Sequence, residues 1–123
     1  MKLTFANADF EVDAGSAFVP TDTSRLLIDC ALKEVAEGDR VLDLGCGSGV
    51  VGLVIAQLKK LPLVYLSDLH AESRAPVERN FRSAGQGYEF KAGNLFEPWS
   101  GERFDVIVDD VSGVSEPLAN TPA

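Results

Sequence analysis

Cysteine is scarce, with only Cys30 and Cys46 in 123 residues, and two thiols cannot staple a disulfide scaffold. Histidine occurs once, at His70, and no Cys/His cluster has the spacing of a metal site. Basic residues are outnumbered 11 to 19, for a net charge of −8, which argues against a basic face that grips nucleic acid unaided. No apolar run approaches the ~20 residues of a membrane helix; the longest of interest, Val50 to Ala56, has seven. The first nine residues, Met1 to Asp9, lack the apolar core of a secretory signal. Cytoplasmic residence is the resulting expectation. Repeats, low-complexity tracts and internal linkers are also missing. What is present is a 46% hydrophobic composition, enough for the core of one domain spanning residues 1–123.

The pattern alternates. Leu3–Phe5 and Phe10–Val12 read as short strands around Asn7-Ala8-Asp9, a hairpin. Leu26, Leu27, Cys30, Ala31 and Val35 recur at helical spacing, which predicts a helix from Asp22 to Ala36, stopped before Gly38, with Cys30 in the core. Four further strands are expected at Arg40–Leu44, Leu63–Ser67, Tyr88–Lys91 and Phe104–Val108, with helices at Val50–Leu58 and Ser73–Ala84. Pro76 fits the second helix only if it lies in the first turn. Strands separated by helices imply right-handed crossovers and a parallel α/β sheet with helices on its faces. Ligands of such sheets bind beyond the carboxyl ends of the strands, near the topological switch point.

The residues just after the strands are therefore the ones to read. Asp43-Leu44-Gly45-Cys46-Gly47-Ser48-Gly49 closes the first of the four strands. Alternating glycines allow a sharp turn and close approach of a ligand to the backbone, and the next helix offers free N–H groups to an anion. A bare turn is the plain alternative, and a dinucleotide site another. Gly47-Ser48-Gly49-Val50-Val51-Gly52 matches G-x-G-x-x-G, though late in register, because Gly45 already ends the strand. Asp68 comes 23 positions after Gly45, where a carboxylate can accept both hydroxyls of a ribose. Asn94 and Leu95 lie after the next strand; the amide can read an adenine edge or simply serve a turn. His70 reads as a solvated or rim residue. Cys46 reads as a small residue in a tight loop rather than a nucleophile, with no histidine beside it.

These motifs resemble the class I S-adenosylmethionine-dependent methyltransferases. Residues Val41–Gly52 look like their first motif, Ser67–His70 the second, and Gly93–Pro98 the third. Phe104–Asp110 matches the strand before their catalytic loop, and Ala17–Thr23 with Leu26-Leu27 resembles the stretch ahead of the first motif. That stretch points to the branch of release-factor glutamine and RNA or DNA amino-group methyltransferases. The resemblance covers Ala17 to Gly113 and implies a Rossmann-like sheet of order 3-2-1-4, counting the four sheet strands alone, with the hairpin and first helix ahead of it. It implies that Gly45, Gly47 and Gly49 hold the methionine part of S-adenosyl-L-methionine, that Asp43 supports its amino group, that Asp68 binds the ribose, and that Leu69, Asn94 and Leu95 meet the adenine. Thr21 or Thr23 lines the pocket or caps the first helix. The implied reaction is N-methyl transfer to an amide or amino group of a protein or nucleic acid.

Two departures bear on that reaction. The branch carries Asn or Asp followed by Pro-Pro-Tyr after the fourth strand; here the register reads Asp110-Val111-Ser112-Gly113. Asp110 can orient an amine and is the catalytic candidate, but no aromatic replaces the tyrosine. The family fold also continues with three further strands, so this chain is expected to be a truncated form, or an assembly subunit that binds the cofactor without catalysis. Its fourth strand then forms an open edge at Val106-Ile107-Val108, which predicts a homo-oligomer paired through it.

Overall fold

The computed structural model describes residues 2–5, 8–11 and 22–109. An antiparallel hairpin, β1 (Lys2–Phe5) and β2 (Ala8–Glu11), comes first. Its register pairs Phe5 with Ala8, so the two strands are separated by two residues and not by the expected four, the second strand beginning at Ala8 instead of Phe10. Helix α1 (Asp22–Glu34) leads to β3 (Val41–Leu44), α2 (Val50–Lys59), β4 (Leu63–Asp68), α3 (Arg74–Ala84), β5 (Gly87–Ala92) and β6 (Val106–Asp109). Single 3₁₀ turns lie at Ala71–Ser73 and Glu97–Trp99. The four main strands form one parallel sheet in the order β5-β4-β3-β6, the expected 3-2-1-4.

Element ends differ from the sequence reading for local reasons. Helix α1 stops two residues early because the Ala36 N–H donates to the Asp39 carboxylate at 2.8 Å, a competing side-chain partner. Strand β6 starts two residues late. The Asp105 and Val106 N–H groups both turn to the Arg40 carbonyl, and Phe104 packs with an aromatic cluster instead. Pro76 is the third residue of α3, inside the first turn, where its missing N–H leaves no helical bond unmade.

Cys30 is a correction, for it is exposed. The buried stripe of α1 is Ser24, Ile28 and Ala31, continued by Val35 just past its end, spaced four, three and four residues apart. Leu26, expected in the core with Cys30, is also exposed. Leu26 and Cys30 make an i, i+4 pair as regular as the true one, and only the rest of the fold chooses between them.

The helices expected on both faces of the sheet are packed on one among the described residues. Val41, Val64, Leu66 and Val108 meet Ile28 of α1 and Val35 just after it, Val54 and Ile55 of α2, and Val77 and Phe81 of α3 in one core. From β3 the chain steps to β4 and then β5, always in the same direction, so right-handed crossovers keep α2 and α3 on the same side. The connection from β5 to β6 steps back across the sheet and passes over the opposite face. There Leu42 and Leu44 lie under Trp99, with Tyr65 and Phe104 packed beside them. Ring centroids in this cluster are 5.3–5.8 Å apart with edge-on geometry. Arg40 lies over Tyr65 and Lys91 over Trp99, and Glu102 bridges both cations at 3.0 Å. The reversal places the topological switch between β3 and β6.

Candidate functional site

The glycine loop after β3 is anchored from four directions. The Cys46 N–H donates to the Ser67 carbonyl at 2.8 Å, and the Gly47 N–H to the Asp68 carboxylate at 2.9 Å. From α3, the Asn80 amide donates to the Ser48 carbonyl at 3.0 Å. Beneath the loop, the Gly52 N–H donates to Asp43 at 2.9 Å. Asp43 is 1% exposed, so its carboxylate sits in the first turn of α2, where an anionic ligand would otherwise be received. Gly45, Gly47 and Gly49 all take positive φ. Gly49 is a packing position as well: a Cβ there would stand 2.9 Å from the Phe81 ring.

Above the carboxyl ends of the strands runs a cavity of about 170 Å³. Leu44 and Gly45 line it from β3 and its loop, Ser67, Asp68 and Leu69 from the end of β4, Gly93, Asn94 and Leu95 from the segment after β5, and Asp109 from β6. The structure thus brings Gly45, Asp68, Leu69, Asn94 and Leu95 together along one cleft. Gly47 reaches it through its bond to Asp68, while Asp43 and Gly49 lie behind the loop, outside the lining. Asp110, Thr21 and residues 111–113 lie outside the described residues, as does the side chain of Thr23.

Asp68 is held in place by its neighbours. Its two carboxylate oxygens accept the Gly47 and His70 N–H groups, each at 2.9 Å, and its own carbonyl accepts the Gly93 N–H. A carboxylate offers about four lone-pair directions, so two remain for a ligand. His70 itself is exposed and acts here through its backbone. Leu69 and Leu95 are large apolar side chains left 65% and 61% exposed at the cleft, and Leu95 carries a left-handed φ of 47°. Such strained backbone persists where the surroundings hold it and gathers at functional sites. Burial, then the carboxylates of Asp43 and Asp68, pushes the Cys46 thiol far up from its ordinary value; it is no nucleophile.

Two lining residues with polar side chains were not singled out as site residues in the sequence reading. Ser67 is 1% exposed and its hydroxyl has no hydrogen-bond partner among the described residues. Asp109 was seen only as part of a strand. Register gives the missing signal: Leu44 pairs with Ser67 on one side and Asp109 on the other, so all three side chains share one sheet face at the carboxyl end.

Comparison with known proteins agrees with this geometry. A family model of the methyltransferase small domain matches residues 11–110. Release factor glutamine methyltransferase of Geobacter sulfurreducens is 31% identical over 108 residues, covering 86% of this chain and 37% of that protein. Ribosomal RNA small subunit methyltransferase C of Mannheimia succiniciproducens is 36% identical over 90 residues, covering 72% of this chain and 26% of that protein. The chain spans a little over a third of the length of the release factor methyltransferases that it matches. In fold it is similar to the 16S rRNA N2 G1207 methyltransferase of T. thermophilus, solved with AdoMet and guanosine. The TM-score is 0.77 at 21% identity, over 89% of this chain and 31% of that one. The matched span runs from the hairpin to the end of β6 and takes in every strand of the sheet, and on that ground the chain belongs to the methyltransferase small domain family.

Proposed function

We propose that this chain binds S-adenosyl-L-methionine and serves N-methyl transfer to an amide or amino group of a protein or an RNA. The observation that carries the reading is the pairing of two carboxylates with the glycine loop. Asp43 fills the start of α2 from below, so the loop does not offer that turn to a pyrophosphate. Asp68 stands at the strand end with lone pairs left for ribose hydroxyls. The lining fits the cofactor in three further respects. Among the described residues the charged side chains that line the cleft are acidic and the buried Ser67 hydroxyl has no partner, and Leu69 and Leu95 give a base apolar walls.

S-Adenosylmethionine supplies an activated methyl group when bound, so the chain's own task is positioning. Gly45 lets the backbone approach the ligand closely. Asp68 fixes the ribose, with Asn94 and Leu95 at the base. We assign Asp110 the task of accepting a hydrogen bond from the acceptor amine and so aiming its lone pair. Val111-Ser112-Gly113 offers no aromatic ring to hold that acceptor, which favours weak turnover by this chain alone and supports a second reading, a cofactor-binding subunit. We further propose that the chain pairs with a second copy through β6, where Ile107 is 45% exposed, and works in the cytoplasm.

Calorimetric titration with S-adenosylmethionine, S-adenosylhomocysteine and NAD tests the reading. Saturable binding of the first two without NAD is expected. Binding of NAD alone, or of none of the three, would overturn it.

A further inference from the structure

Ser67 is the next-to-last residue of β4, is 1% exposed, and lines the cleft. A buried hydroxyl is ordinarily hydrogen-bonded, and one left without a partner costs free energy. Among the described residues this one has no partner. Its two neighbours in the sheet register show why. Leu44 of β3 is apolar. Lys91 of β5 turns its amine to the Pro98 carbonyl at 3.3 Å and to the Glu102 carboxylate at 3.0 Å. The cleft is where a partner for the hydroxyl can arrive.

Strand alternation tells which part of a ligand the hydroxyl meets. Neighbouring residues of a strand project to opposite faces. The Asp68 carboxylate turns to the glycine loop, where it accepts the Gly47 N–H at 2.9 Å. Ser67 projects with Leu44 to the other face, the one crossed by the connection from β5 to β6. That connection opens with Gly93, Asn94 and Leu95, which form one wall of the cleft. The wall is pinned to the end of β4, because the Gly93 N–H donates to the Asp68 carbonyl at 2.9 Å. A nucleoside whose ribose meets Asp68 and whose base meets Asn94 and Leu95 therefore has its base on the side of Ser67.

Resting on the cofactor reading above, we propose that Ser67 is a further ligand-contacting residue that selects the base: its hydroxyl donates a hydrogen bond to a ring nitrogen on the buried edge of the purine. The serine serves recognition at the expense of the free chain. Without ligand the hydroxyl is desolvated and unpaired, and the base completes it.

A role in binding and a role in folding predict opposite signs for Ser67→Ala. The variant loses an orphaned group, so without ligand it should melt at or above the wild-type temperature. S-Adenosylmethionine and S-adenosylhomocysteine should both bind it about two- to tenfold more weakly. Calorimetry with analogues of S-adenosylhomocysteine that replace a single purine ring nitrogen by CH, one analogue for each acceptor nitrogen, names the atom. One of them should bind the wild type about two- to tenfold more weakly than its parent and lose nothing further in Ser67→Ala. Losses that add for every analogue, or unchanged affinity in Ser67→Ala, overturn the proposal while leaving the cofactor reading intact. A ligand-free variant that melts below the wild type or fails to fold assigns the hydroxyl to the fold and overturns the proposal as well. Failure of the wild type to bind either S-adenosyl compound overturns the cofactor reading and this one with it.

Discussion

Asp43 and Gly52 meet at 2.9 Å, a buried carboxylate accepting the backbone N–H of the third residue of α2, in its first turn. The contact also explains why position 52 is glycine, since a Cβ there would stand 3.1 Å from the Asp43 carboxylate and 3.2 Å from Leu66. Asp43→Ala should lower stability by about 1–3 kcal/mol, the range for orphaning a buried polar group. Gly52→Ala should destabilise as well, by prising α2 off β3. Urea melts of both variants matching the wild type would remove the pair from its structural role.

Asp68 should matter more to ligand than to fold. Asp68→Ala is expected to weaken S-adenosylmethionine binding by about 1–3 kcal/mol through unpaired ribose hydroxyls and a loosened Gly47 N–H. Calorimetry on the variant checks this, and equal affinity in variant and wild type contradicts it.

The two thiols should report their settings. Cys30 is exposed and Cys46 buried, and the raised Cys46 pKa keeps that thiol protonated. A thiol reagent at mildly alkaline pH should label Cys30 quickly and Cys46 only on unfolding. Two equally fast thiols in the native protein would contradict the placement of Cys46.

The Glu102 bridge should carry a pH signature. Its hydrogen bond to Lys91, aided by the charges of Lys91 and Arg40, lowers the Glu102 pKa below its ordinary 4.5. A depressed carboxylate stabilises the fold above the unfolded value, and the benefit fades as pH falls through the folded one. Glu102→Gln should therefore melt slightly below the wild type near neutrality and alongside it in strong acid. A gap of the same size at both pH values would assign the effect to packing instead of charge.

Assembly is open to light scattering. The wild type should run as a dimer, and Ile107→Lys, which puts a charge on the half-exposed face of β6, should shift it toward monomer. A wild type that stays monomeric at high micromolar concentration would end the pairing proposal.

The places of the sheet strands and of the turns at their carboxyl ends were legible in the sequence because they depend on local signals, whereas the order of the strands came from the family resemblance. Apolar runs mark Val41–Leu44 and Val106–Val108 as strands, the first fully buried and the second buried only at Val108, and glycines and acids mark the turns at their carboxyl ends. The face of α1 was not legible, because Leu26 with Cys30 and Ile28 with Ala31 are equally regular and only packing against β6 and α2 decides between them. Ser67 and Asp109 were missed for a related reason. Each looks ordinary alone, and they meet only through the pairing of β4 and β6 on either side of β3.

Trp99 is the sole tryptophan of the chain, and it is seated on Leu42 and Leu44 beneath the crossing from β5 to β6. Its indole N–H is buried without a partner among the described residues, and Lys91 stands 4.6 Å from the ring. The same connection begins with Gly93, Asn94 and Leu95, the wall of the cleft. The molecule therefore carries its own optical probe. Light emitted by one buried indole reads whether this connection is seated, and a ligand that presses on the wall is announced a few residues away, without a label.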